Sequence, residues 1–145
     1  MSVPALLRVL QMERGMAWVD VARMIGVSVP ALRKWRKETG DATAENHTKL
    51  STLVAFLNTL EEIHVPHPAA WFSLPILKDY SVTPSDLYCE GGFALVPLLD
   101  FAAGNINAPH LLDEVDSQWR RKYHSEFEAY EAEDGQMSLR RRESV

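Results

Sequence analysis

The side chains best suited to chemistry are the cations of residues 28–37, a segment rich in arginine and lysine. Arg33, Lys34 and Lys37 fall at spacings that place them on one side of a helix, whereas Leu32 and Trp35 fall on the other. Cations on an exposed helix can contact the phosphates and the guanine edges of DNA. The sequence therefore predicts a DNA-binding surface, whose members are Ser28, Val29, Pro30, Arg33, Lys34 and Lys37.

Within this surface the residue types predict different contacts. Arg33 is placed to read a guanine edge through two hydrogen bonds, and Lys34 and Lys37 are expected at phosphates. Val29 and Pro30 are expected to touch a thymine methyl group. The alternative is an ordinary solvated helix face, since charged side chains are mostly exposed in any protein.

The basic residues are concentrated at the start of the chain. Residues 1–40 carry seven basic and three acidic side chains, a net charge of +4, whereas residues 41–145 carry eight basic and 17 acidic ones, a net charge of −9. A basic segment is attracted to a polyanion and an acidic segment is repelled by one. We therefore expect two parts with different roles, of which the first meets DNA.

A helix-turn-helix motif is predicted around Gly26. Such a motif needs a small residue in its first helix, a left-handed residue at its turn and aliphatic residues on both sides. Ala22 and Gly26 meet the first two needs. The third is met by Val21, Ile25, Val27, Leu32 and Trp35. The alternative is a plain helical hairpin in which Gly26 only ends a helix.

Three segments extend this pattern along the start of the chain: LLRVLQMERG, VARMIGVS and LRKWRK. With them, residues 6–40 resemble the Xre family of lambda-repressor-like DNA-binding domains. The segment VARMIGVSVPALRKW is also similar to MerR-type regulators. Both resemblances imply DNA as a partner.

The remaining periodicity predicts helices almost throughout, so the expected fold class is all-α. Residues 1–40 form the expected helix-turn-helix domain, residues 41–46 a polar linker, residues 47–135 a helical dimerisation or partner-binding domain, and residues 136–145 a flexible tail. The expected final helix covers residues 109–133. It carries a stripe at spacings of three and four, made by Val115, Trp119, Tyr123, Phe127 and Tyr130.

Residues 68–104 carry a second pattern. Its features are Trp71, Pro75, the Thr83-Pro84 helix start, Leu87, and an apolar helix between Gly91 and Gly104. This segment resembles the toxin-binding domain of Xre–MbcA–ParS antitoxins, which pair with RES-domain toxins that destroy a nicotinamide dinucleotide. The resemblance implies a partner-binding surface that includes Trp71, Phe72 and Leu87. The alternative is that these side chains form a helical core or a dimer interface.

No enzymatic chemistry is expected. The chain has one cysteine, Cys89, and no glycine-rich phosphate loop, and Pro66 prevents His64 and His67 from sharing a helical face. We therefore expect no catalytic residue, no metal site and no cofactor. Because the sequence lacks both a run of about 18 apolar residues and a secretory signal, we expect a cytoplasmic protein without a membrane partner.

Together these observations predict a sequence-specific DNA-binding transcription regulator, a repressor that acts on double-stranded DNA as a homodimer. A dimer is expected because one short helix reads only a few base pairs, and two half-sites supply the missing specificity.

The alternative function is that of an antitoxin in a type II toxin–antitoxin pair. Such a protein binds and neutralises a toxin protein and represses its own operon.

Overall fold

The computed structural model describes residues 1–124 and 127–142, in which nine α-helices precede two strands. The helices are α1 (Val3–Arg8), α2 (Trp18–Ile25), α3 (Val29–Arg36), α4 (Ala44–Glu62), α5 (Pro68–Trp71), α6 (Pro84–Tyr88), α7 (Leu95–Ala102), α8 (Ala108–Val115) and α9 (Trp119–Lys122). A π-helical turn, Val9–Glu13, extends α1, and a 3₁₀ turn, Gly92–Ala94, leads into α7. The strands β1 (Phe127–Glu131) and β2 (Met137–Arg141) form an antiparallel hairpin.

The hairpin shows that the all-α prediction is wrong. In place of the helix predicted over residues 109–133 the chain forms α8, the single turn of α9 and β1, and the predicted flexible tail contains β2. Residues 125–126 and 143–145, which belong to those two predictions, lie outside the described residues. α8 ends because Asp116 is extended and its carboxylate accepts a hydrogen bond from the backbone N–H of Gln118 (3.0 Å), which competes with continuation of the helix. Gly135, at φ +78°, then makes the turn between the strands.

Side-chain caps determine where α3 and α4 begin. The hydroxyl groups of Ser28 and Thr43 accept hydrogen bonds from the backbone N–H groups of Ala31 (3.2 Å) and Asn46 (3.1 Å). Such caps satisfy N–H groups that have no partner within a helix. As a result α3 begins directly after Ser28, and α4 begins inside residues 41–46, the stretch predicted to be a linker.

Helix α4 lies at the centre of the core. Its residues Leu50, Leu53, Leu57 and Leu60 have no exposed surface. The helix contacts α1, α2, α5 and α7. The buried apolar side chains therefore form one continuous cluster, which holds α2 and α3 against the rest of the described chain.

Candidate nucleic-acid interface

Gly26 makes the turn between α2 and α3. Its φ of +76° lies in the left-handed region, which glycine adopts readily and which costs a residue with a Cβ about 1–2 kcal/mol. The N–H groups of Gly26 and Val27 both donate to the carbonyl oxygen of Ala22, at 2.9 Å each, and so end α2. Ser28 then caps α3, so that only residues 26–28 separate the two helices.

Helix α3 is anchored by two side chains. Leu32 is completely buried and Trp35 is 8% exposed. They belong to the same apolar cluster as Val21 and Ala22 of α2, and α3 also contacts α1. Because these contacts fix the rotation of α3 about its axis, they determine which of its side chains point to solvent.

The opposite side of α3 carries the predicted DNA-binding residues. Ser28, Pro30, Arg33, Lys34 and Lys37 are exposed, and Val29 is half-buried. Within the described residues, Arg33, Lys34 and Lys37 have no carboxylate partner. The structure thus brings the six predicted residues together on one exposed cationic surface, which we call the α3 surface.

Two other cations of residues 1–40 have protein partners instead. Arg14 donates hydrogen bonds to Asn58 (2.6 Å) and Glu61 (2.7 Å). Arg23 donates to Ser85 and Asp86. Because carboxylates compensate the charges of Arg14 and Arg23, the positive potential of this part of the chain is concentrated mainly on the α3 surface.

The residues predicted to bind a partner protein lie mainly in the core. Phe72 is 2% exposed and Leu87 is completely buried, while Trp71 is half-buried. The Phe72 ring packs edge-on against those of Trp71 and Tyr88, with centroid distances of 5.3 and 5.6 Å. Phe72 and Leu87 therefore have the core role that the sequence left open. Of these three residues, only Trp71 retains surface that a partner protein can contact.

The structure contains a link between α2 and α6 that the sequence did not predict. The Arg23 guanidinium donates hydrogen bonds to the Ser85 hydroxyl (2.7 Å) and to the Asp86 carboxylate. Partial burial opposes ionisation of Asp86, but hydrogen bonds from Thr83 and Arg23 outweigh it and hold the pKa of Asp86 below its ordinary value. Because Arg23 and Asp86 are 63 residues apart in the chain, no local pattern indicates their contact.

A cleft of about 450 Å³ lies beside this link, between α2, α4 and the segment that leads into α7. Its lining includes Met24, Lys49, Cys89 and Leu95. Partial burial raises the pKa of the Cys89 thiol above its ordinary value. This direction is opposite to the lowered pKa that activates a cysteine nucleophile.

No protein-family model, no curated protein and no solved structure matches this chain. Among residues 1–124 and 127–142, no helix combines the length and the apolar character needed to cross a membrane. In the same residues, no group of three or more histidine, cysteine, aspartate or glutamate side chains is arranged to hold a metal ion. The α3 surface is therefore the feature from which the function of the chain is inferred.

Proposed function

We propose that this chain is a sequence-specific DNA-binding transcription regulator that represses genes as a dimer. The observation that carries the proposal is the α3 surface. It is exposed, its cations have no carboxylate partner in the described chain, and it lies on the helix that follows a tight glycine turn. A second helix presented in this way can enter the major groove of DNA.

The order of the side chains along α3 supports a different role for each. Arg33 lies about one turn after the start of the helix, where its two-pronged guanidinium can reach the O6 and N7 acceptors of a guanine. Lys37 lies at the end of α3, closer to the sugar–phosphate backbone, where an ammonium group neutralises phosphates. Val29 and Pro30, in the first turn, offer apolar contact to a thymine methyl group.

The proposed dimer follows from the size of this surface. The eight residues of α3 reach only a few base pairs, whereas a specific site must be distinguished from a whole genome of competing sequences. Two copies of the chain on half-sites about 34–36 Å apart, which is one turn of DNA, supply the additional contacts.

Selection from a randomised DNA pool tests the proposal with two α3 variants. Arg33→Ala should weaken binding to the selected site by about 1–3 kcal/mol and relax the preference at one base position. Lys37→Ala should weaken binding to all sequences alike and reduce the salt slope by about one. Arg121→Ala is the matched control, because Arg121 is also exposed but lies outside α3, in α9. It should bind like the wild type.

Salt dependence and a folding control complete this experiment. If a dimer contacts about six phosphates, a plot of log binding constant against log salt concentration should have a slope near −5. Circular dichroism should show native helix content in both α3 variants, since Leu32 and Trp35 hold the helix from its other side. The proposal fails if both variants bind with wild-type affinity and preference. It also fails if the folded wild type binds no sequence in the pool.

A second function, that of an antitoxin that binds a toxin protein, is favoured by one observation. Phe93 and Val96 are 61% and 67% exposed, and both lie in residues 68–104, which resemble a toxin-binding domain. Immunoprecipitation from native cells, with bound DNA and bound protein both identified, separates the two functions. A stoichiometric protein partner that is lost in Val96→Glu and kept in Arg33→Ala supports the antitoxin. Recovery of specific DNA without such a partner supports the repressor.

A further inference from the structure

The C-terminal hairpin turns its apolar side to solvent. Its register pairs Phe127 with Arg141, Ala129 with Leu139 and Glu131 with Met137. The side chains of these six residues share one face, because alternate residues of a strand point the same way. All six are exposed, and the exposed fraction reaches 68% for Met137 and 73% for Leu139. We call this side the outer face.

The other side of the hairpin is polar and is partly covered. Glu128 and Arg140 form an ion pair (2.9 Å), and the Arg140 guanidinium lies 4.7 Å from the centroid of the Tyr130 ring. Arg142 connects this part of the hairpin to Asp79 (3.2 Å). A sheet that is stable by itself in water normally packs its apolar side on the core and exposes its polar side. The reversed arrangement leaves an exposed apolar face of the kind that binds another polypeptide.

Charges at the two ends of the outer face make it complementary to itself. Glu131 lies at one end of β1, and Arg141 lies at the opposite end of the face, on β2. Within the described chain neither side chain has an ion-pair partner. Consider a second copy placed over the outer face and related to the first by a two-fold axis. The axis lies parallel to the face, runs perpendicular to the strands and passes over the central pair, Ala129 and Leu139. The end of one copy that carries Arg141 then meets the end of the other copy that carries Glu131.

We propose that the outer face is an interface with a second copy of this chain. The two hairpins pack face to face, with Leu139 of both copies at the centre and an Arg141–Glu131 ion pair at each end. Sheets packed in this way lie about 10 Å apart, with their strands aligned to within about 30°.

The small size of the outer face indicates a weak dimer. Each copy contributes six side chains, whereas a standard interface has about 20–30 residues a side, so the dimer should dissociate on dilution. This inference rests on the proposed function, because the interface would form the dimer in which the proposed repressor binds DNA. The interface itself can form without DNA.

Sedimentation of the full chain without DNA tests the interface. The wild type should be a dimer at the highest concentration measured and should dissociate on dilution. Leu139→Glu, which places a carboxylate at the centre of the face, should be a monomer at the same concentration. Met12→Glu is the matched control, because Met12, in the π-helical turn after α1, is exposed to a similar extent, 71%, and lies outside the hairpin. It should remain a dimer.

Charge exchange separates a specific interface from a hairpin that has lost its fold. Glu131→Arg and Arg141→Glu should each weaken the dimer by about tenfold or more, because like charges then meet at both ends. The double variant restores opposite charges, and its dissociation constant should return to within about threefold of the wild type.

Three results would overturn this interface: a monomeric wild type at the highest concentration, a dimeric Leu139→Glu, or a double variant as weak as the single ones. The DNA selection with the α3 variants does not depend on these measurements. Failure of the interface is therefore distinguished from failure of the proposed function.

Discussion

Asp86 has two structural roles, and substitutions at this position and at Arg23 measure both. Its carboxylate accepts a hydrogen bond from the backbone N–H of Thr83 (2.9 Å), while its own N–H donates to the Thr83 hydroxyl (3.3 Å). This capping box begins α6. The same carboxylate pairs with Arg23 of α2, so Asp86 also connects the helix before the glycine turn to the region that follows α4.

The expected losses in free energy of unfolding differ between the two partners. The Arg23 side chain is 50% exposed, so solvent screening limits the ion pair to about 0.5–1 kcal/mol. Loss of the hydrogen bond from the Thr83 N–H to the Asp86 carboxylate costs about 1 kcal/mol more. Asp86→Ala should therefore lower the free energy of unfolding by about 1.5–2 kcal/mol, and Arg23→Gln by about 0.5–1 kcal/mol.

The pH dependence of this link has a defined sign. Because the pKa of Asp86 is lowered in the folded state, its carboxylate stabilises the fold above the unfolded pKa of about 3.9. The stabilisation is lost as the pH falls through the folded pKa, where the carboxylate takes up a proton. Between about pH 5 and pH 2, the free energy of unfolding of Asp86→Asn should therefore fall less than that of the wild type.

Urea denaturation of the wild type, the two single variants and the double variant measures these energies. Since Arg23 and Asp86 share an ion pair, the double-mutant cycle should give a coupling energy of about 0.5–1 kcal/mol. Arg14→Gln is the control, because Arg14 pairs with Glu61 and its effect should add to that of Asp86→Ala. A coupling between Arg23 and Asp86 within about 0.3 kcal/mol of zero would refute the role of this ion pair in stability.

Two further substitutions test local features through urea or thermal denaturation. Gly26→Ala should lower the free energy of unfolding by about 1–2 kcal/mol, because a Cβ at φ +76° is strained although it meets no atom within 4 Å. Gly26→Asn should lose less, since asparagine tolerates the left-handed conformation. Trp119→Phe should cost about 1 kcal/mol, because it removes the hydrogen bond from Trp119 Nε1–H to Asp113 (2.7 Å) and keeps a buried ring. An unchanged midpoint in Gly26→Ala or in Trp119→Phe would contradict the corresponding argument.

The arrangement of α2 and α3 could be predicted because its signals are local. Gly26 directly follows α2 and Ser28 directly precedes α3. A left-handed glycine and a serine cap act on the few residues beside them, so their effect depends little on the rest of the fold. Helical periodicity then places Leu32 and Trp35 opposite Arg33 without knowledge of what they pack against.

The C-terminal hairpin could be predicted only in part. Phe127 fits a helical stripe by its spacing, but aromatic residues also favour strands. The pair Asp134 and Gly135, which directly follows the predicted helix of residues 109–133, is typical of a turn between strands. The ion pair from Arg142 to Asp79, which connects the end of the hairpin to an earlier segment, joins distant residues and has no local signal.

Periodicity alone cannot distinguish an apolar side chain that packs in the core of its own chain from one that packs against a second chain. Phe72 and Leu139 are both apolar, yet one is 2% and the other 73% exposed. The aromatic rings of α4 and α6 surround Phe72, whereas the hairpin turns Leu139 away from the core. The fold therefore removes Phe72 from the predicted partner surface and adds Leu139 as a candidate that the sequence did not indicate. On α3 the periodicity of the sequence and the exposure in the structure agree. The cations that periodicity places on one side of the helix are also the ones that the fold leaves exposed and without a carboxylate partner in the described chain. This agreement is the reason for proposing that the chain binds DNA through α3.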